Sequence, residues 1–206
     1  MQTLLDAVPD TLKAWISERR SIRRYRADTL PEGTIERLID AARFAPSAHN
    51  RQPWRFVVLQ GGEEKARLTD AMGARLRADR LADGDDPQAV DKDVANSRAR
   101  IVSAPAVIAV CFTLADMDRY PDARRAEAER LMAVQSTAMA AQNLLLLAHA
   151  EGLGACWMCA PLFCPDTVRL ALELPFEWHP QALITLGYPA SAGRSRERRP
   201  IVEMIR

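Results

Sequence analysis

The segment from residue 19 to residue 26, RRSIRRYR, carries five arginines in eight positions with no acid among them. A guanidinium grips a phosphate through two parallel N–H···O bonds, and the hydroxyl of Ser21 adds a further donor. A second basic run, Arg194, Arg196, Arg198 and Arg199, follows far along the chain. Either run alone also reads as a solvated basic turn, the commoner fate of such a cluster. Together, in a chain of net charge +1, they point to one anion held between two distant segments.

Two further constellations could carry chemistry. The loop PSAHNRQPW, residues 46–54, offers Ser47, Asn50 and Gln52 between prolines. Hydroxyl and amide groups suit the edge of a heterocycle, where donors and acceptors are matched pairwise, and they equally make ordinary turns. Cys156-Trp157-Met158-Cys159 has the Cys-x-x-Cys spacing. A redox pair of that kind wants an exposed, electropositive helix N-terminus, whereas this one closes an apolar strand entered through Gly152 and Gly154. Zinc would need two more ligands, and Cys164, His149 and His179 lack zinc-ribbon spacing. The pair is expected to be structural, as are the histidines. No Ser-His-Asp order, phosphate loop, dinucleotide fingerprint or HExxH motif is present.

The elements that must position these segments follow from periodicity. Residues 4–18 read as a helix, with Leu5, Val8, Leu12, Trp15 and Ile16 near helical spacing. A second helix is expected over 31–45, with Thr29 as cap, Pro31 in the first turn, and Ile35, Leu38, Ile39 and Ala42 on one face. WRFVVLQ, 54–60, is a strand stopped by Gly61-Gly62; a helix over 63–80 and a polar, acidic excursion or mobile lid over 81–93 come next. AVIAVCF, 106–112, is apolar throughout, as a central strand should be. Residues 122–149 form one helix, about 40 Å long at 1.5 Å per residue. A strand at 155–158, a helix at 165–174, a strand at 180–187 and an irregular basic tail from 191 complete the chain. No repeat or linker interrupts it, so residues 1–206 are expected to form one domain. The long helix is apolar around most of its circumference, and such a helix needs partners on every side. A second subunit is the economical supply.

Composition bounds the partners. With 48% hydrophobic and 27% charged residues, the chain is an ordinary globular one. Its 28 basic and 27 acidic residues argue against a dedicated nucleic-acid binder. The most apolar stretch, 131–148, carries Gln135, Ser136, Thr137, Gln142 and Asn143, more polar groups than a membrane span tolerates. The first ten residues lack the pattern of a secretory signal, and four cysteines are too few for a disulfide scaffold. A cytoplasmic, reduced protein is expected.

In their order along the chain, RRSIR with Tyr25, APSAHNRQPWRFVV, GLGACWM, LITLGYP and the basic tail ending in Arg198-Arg199-Pro200 resemble the nitroreductase family of flavin enzymes over about residues 15–204. YPDARRAEAERLM, LGACWMCAPLFCPDTVR and LPFEWHPQALITLGYP are similar, more closely, to the C-terminal flavin domain of the bifunctional coenzyme F-420 gamma-glutamyl ligase. In that family the flavin domain is implicated in reducing a dehydro precursor of the deazaflavin coenzyme. Ser47, Asn50 and Gln52 depart from it and look like ordinary nitroreductases.

The resemblance implies an α+β nitroreductase-like fold with a central, mostly antiparallel sheet, and an intertwined homodimer with FMN at its interface. It also implies site roles. Arg19, Arg20, Ser21 and Arg23 would hold the FMN phosphate and ribityl chain, completed by Arg196 and Arg198. Pro46, Ser47, Ala48, Asn50 and Gln52 of the other subunit would line the isoalloxazine ring. The strand end Trp157, Met158, Cys159, Ala160 and Pro161 would bring backbone donors to the reactive nitrogen, and Arg98 or Arg100 would reach the pyrimidine edge. The activity implied is ping-pong hydride transfer, NAD(P)H being the reductant and a conjugated small molecule the acceptor, with no protein acid or nucleophile. A dehydro precursor of coenzyme F-420, a general nitro or quinone acceptor, and a non-catalytic flavin carrier are the alternatives it leaves open. Arg51, Arg124 and Arg125 are the surplus cations an acidic acceptor would use.

Overall fold

A computed structural model describes the backbone of residues 2–206 and the side chains from residue 9 onward. Four strands, β1 (Trp54–Leu59), β2 (Ala106–Thr113), β3 (Gly154–Met158) and β4 (Trp178–Gly187), form one sheet in the order β1-β2-β4-β3. Every neighbouring pair is antiparallel. Six helices surround it: α1 (Gln2–Glu18), α2 (Thr34–Ala42), α3 (Gly62–Ala82), α4 (Pro87–Val102), α5 (Ala123–Ala150) and α6 (Pro165–Ala171). The α+β architecture expected from the sequence is the one the chain adopts.

The alternation of β2 builds the layers. All eight of its residues are buried, so both faces must be covered. Ala106, Ile108 and Val110 point to the side of α2 and α5, joining Leu38, Ala141 and Leu144 in one core. Val107 and Ala109 point to the opposite side and meet Leu68 of α3, Ile101 of α4 and Val168 of α6. Each fully buried Leu or Ile there contributes about 1.5–3 kcal/mol.

Several expected boundaries move. The helix expected over 31–45 begins only at Thr34, because Gly33 takes a left-handed backbone (φ 74°), and Thr29 is not its cap. The acidic stretch 81–93 is no lid. After a short turn, Asp86 caps α4 by accepting from the Ala89 N–H at 2.9 Å, and Pro87 stands in the first turn. Arg80 of α3 bonds Asp85 at 2.5 Å and Asp93 at 2.6 Å, while Arg77 bonds Asp91 at 2.7 Å. The acids that read as solvated are the partners of the preceding helix.

By length and composition α5 is apolar enough to cross a membrane, but it packs along the sheet as a core helix. Its packing is one-sided. Ala133, Ala140, Ala141, Leu144 and Ala148 are buried, while Leu131, Gln135, Ala138, Met139 and Gln142 form an exposed stripe at helical spacing. The face of α1 carrying Leu12, Trp15 and Ile16 is exposed too; Leu5 and Val8 lie outside the described side chains.

Candidate functional site

The arginine-rich segment crosses the outer edge of β3 as a strap. The Ile22 N–H donates to the Ala155 carbonyl at 3.0 Å, and the Arg26 N–H to the Tyr188 carbonyl at 2.9 Å. The Tyr25 hydroxyl lies 2.5 Å from the carbonyl of Ile22 and 3.0 Å from that of Thr185, with the Thr185 hydroxyl at 2.7 Å. Burial pushes its phenol well above the ordinary range, so it stays a neutral donor. Close approach requires the absence of side chains beneath. A Cβ on Gly154 would sit 2.7 Å from Ile22, and one on Gly193, at φ +78°, 2.8 Å from Ile22 and 3.0 Å from Arg20. Tyr25→Phe removes a buried donor and strands the Thr185 hydroxyl. It should cost about 1–3 kcal/mol, read as a lower denaturation midpoint; an unchanged midpoint would show that Tyr25 does not pin the strap.

The tail after β4 turns back along the strap, its Ala190 N–H donating to the Arg24 carbonyl at 3.0 Å. Strap and tail thereby enclose a cavity of about 410 Å³, lined by Arg19, Arg20, Ser21, Arg23 and Arg24 from one and Arg194, Arg196 and Arg198 from the other. The two basic runs do converge. Arg26 is excluded from the cavity and pairs with Asp28 at 2.9 Å.

A second cavity, about 250 Å³, shares Arg19 and Ser21 with the first and continues along β3 to Trp157, walled by Ala138, Gln142 and Leu145 of α5. These three α5 residues went unnoticed in the sequence, where they sit inside an apolar helix; the amide of Gln142 was the signal available. The Ala155 carbonyl faces the strap, so the two-residue period of a strand turns the N–H and C=O of Trp157 to the same open edge. Cys159 is exposed, its sulfur accepting from the Trp157 indole N–H at 2.8 Å, while Met158 is half-buried and Pro161 buried. Pro161 has no N–H, so the donors of this segment lie within Trp157–Ala160.

Three of the cysteines, Cys111, Cys156 and Cys164, are buried. All four are free. Burial raises the thiols of Cys156 and Cys164 and pushes Cys111 up to about 12, opposite to the lowering a redox pair needs. Among the described residues no group of three or more His, Cys, Asp or Glu side chains could hold a metal. His179 stacks on Phe112 at 4.8 Å.

The loop at 46–52 stands elsewhere. It precedes Trp54, which pairs with Phe112 at the far end of β2 on the opposite edge strand. The strap pairs with Ala155, level with Leu186 and hence with Ala106 at the start of β2. The two segments thus occupy diagonal corners of the sheet, about 14 Å apart across the strands and about 20 Å along them. Within one chain Pro46, Ser47, Ala48, Asn50 and Gln52 do not join the arginine cavity. The loop is nonetheless built with strain: His49, Asn50 and Gln52 take left-handed backbones at φ 50°, 55° and 48°. The Ser47 hydroxyl holds it closed by accepting from the Gln52 N–H at 3.0 Å. Such backbones cluster at functional sites.

The remaining candidates divide. Arg98 pairs with Asp70 at 2.6 Å and lines neither cavity; Arg100 lies close enough to Cys156 to act on its thiol. Arg51 bonds Asp118 at 2.7 Å and Arg125 bonds Asp122, whereas Arg124 has no ion pair among the described residues.

Comparison with known proteins meets this geometry. Residues 16–188 match the model of the Nitroreductase family. The NADH dehydrogenase of Thermus thermophilus is 32% identical over 98% of this chain and 96% of its own length. The 5,6-dimethylbenzimidazole synthase of Rhodospirillum rubrum is 33% identical over 96% of this chain and 88% of its own. Among solved structures, a Desulfovibrio desulfuricans protein named as a nitroreductase, in complex with FMN, superposes with a TM-score of 0.72 at 28% identity, covering 94% of each chain.

Proposed function

The chain belongs to the nitroreductase family, and on that premise we propose that it is an FMN-dependent oxidoreductase using NAD(P)H to reduce a conjugated small molecule. The observation that carries this reading is the pair of cavities that share Arg19 and Ser21 in their walls: one ringed by arginines, one running along an open strand edge. Their donor chemistry fits the cofactor, cationic forks for a phosphate and backbone groups for a heterocycle. When bound, FMN supplies two-electron chemistry in ping-pong fashion, taking hydride from one substrate and passing it to another. The chain's residues bind and orient. Arg19, Arg20, Ser21, Arg23, Arg196 and Arg198 hold the phosphate and ribityl chain, and the Trp157–Ala160 backbone donates to the ring edge. Trp157, Ala138 and Leu145 keep water from one side of the ring. Loop 46–52 of a second copy covers what this chain leaves open. The protein works as a homodimer of one-domain chains, in a cytoplasmic setting that suits its four free thiols.

A neutral nitro or quinone acceptor suits the site best. Two of the three arginines that would welcome an acidic acceptor, Arg51 and Arg125, are already neutralised. Arg124 keeps a second reading in play, a dehydro precursor of coenzyme F-420. Arg124→Ala separates them: KM rises several-fold for a phosphorylated deazaflavin precursor and stays unchanged for small quinones if the acceptor is anionic, and neither moves if it is neutral.

The test of the function is direct. Purified protein should show flavin absorbance that bleaches on anaerobic NAD(P)H titration and returns on adding a quinone. Flavin that binds but is not reduced would leave a carrier; no uptake of FMN would end the proposal. Cys156→Ser with Cys159→Ser should keep turnover within a few-fold of the parent. A large loss of turnover at intact flavin content would restore a redox role to the pair.

A further inference from the structure

The cavity between strap and tail carries more positive charge than FMN needs. None of its seven arginines pairs with a carboxylate among the described residues, although twelve arginines elsewhere in the chain do. Acids are close in sequence, since Glu18 precedes Arg19 and Glu197 separates Arg196 from Arg198, yet neither forms an ion pair there. Elsewhere the chain neutralises most of its guanidinium groups locally; here it gathers seven bare ones around about 410 Å³. A phosphate monoester returns at most two negative charges. Like charges focused in one concavity raise the local concentration of counter-ions, and arginine forks select phosphoryl oxygens among them.

We propose that this cavity holds two phosphoryl groups, the one carried by FMN and a second. The inference rests on the reading that the first belongs to FMN. Arg19 and Ser21 border both cavities, so the flavin's phosphate enters from their side. Arg24, Ser191 and Arg194 line the larger cavity beyond the residues assigned above to that phosphate. They receive the second group, with the Ala190 N–H to Arg24 carbonyl bond keeping the tail beside the strap. The second phosphoryl group comes either from a dinucleotide flavin or from a separate phosphorylated molecule, and binding separates these sources.

Calorimetric titrations at one fixed ionic strength decide the matter, with FMN, FAD and pyrophosphate added to apoprotein and inorganic phosphate added to FMN-loaded protein. FAD binding within tenfold of FMN places the second group on the flavin. Saturable uptake of one equivalent of inorganic phosphate by the FMN-loaded protein places it on a separate molecule. Whichever is seen should weaken more than tenfold in Arg24→Ala/Arg194→Ala. FAD weaker than FMN by more than tenfold, together with no saturable phosphate binding, overturns the proposal and leaves FMN in place. Pyrophosphate binding with no uptake of either flavin keeps the two-phosphoryl site and overturns the flavin reading instead.

Discussion

Protein carrying Arg20→Ala and Arg198→Ala should emerge from purification colourless, and the parent yellow. The two residues come from opposite walls of the cavity, one from the strap and one from the tail. Each guanidinium offers charge-assisted hydrogen bonds to phosphate, worth about 1.5–3 kcal/mol apiece. Losing both costs about 3–6 kcal/mol, a drop of roughly 10²- to 10⁴-fold in affinity. Neither side chain supports the core: Arg20 bonds the carbonyls of Ser17 and Arg19, and Arg198 only approaches that of Arg196 at 3.5 Å. The variant should therefore keep the parent's far-ultraviolet circular dichroism. Stoichiometric flavin in the folded variant would remove the arginine cavity from the cofactor site.

The second large effect is on assembly. Light scattering at micromolar concentration should give about twice the 22.9 kDa chain mass. Two observations ask for this. The stripe on α5 leaves Leu131 46% and Met139 40% exposed beside the smaller cavity, and Leu12, Trp15 and Ile16 of α1 add about half-exposed apolar groups. The strained loop at 46–52 also stands on the wrong corner of the sheet to serve its own chain's cavity. Met139→Arg would bury an unpaired charge in such an interface, at several kcal/mol. It should yield a monomer that has also lost flavin, because the ring then lacks the neighbour's loop. A monomer that stays fully loaded with flavin would disprove the shared site.

Charge and periodicity made much of this legible. The arginines of RRSIRRYR pointed to an anion site because nothing in that segment could neutralise them, and the fold gathers them with those of the tail around one cavity. The continuous apolar run of β2 announced a strand covered on both faces, which it is. The acidic stretch misled because composition alone was weighed. Asp86-Pro87 is itself a helix-start signal, and acids spaced to meet Arg77 and Arg80 are not idle charge. Two features left only a faint trace. The left-handed backbones at His49, Asn50 and Gln52 follow no periodicity, although histidine and asparagine adopt them more readily than most residues. Gln142 looks like one more polar interruption of an apolar helix until α5 is laid beside Trp157.

The strap and tail meet across great lengths of chain: Tyr25 and Thr185 are 160 residues apart, and Arg20 and Ser195 are 175. Closing loops of that size carries the largest entropic cost in the molecule, so contacts of this range are the slowest to be made. The helical hairpin of α3 and α4 can form from neighbouring sequence, but the arginine cavity exists only after the sheet has fixed both ends of the loop. Cofactor capture is therefore a closing event of maturation. A nascent chain has no arginine cavity to offer until its two most distant segments touch.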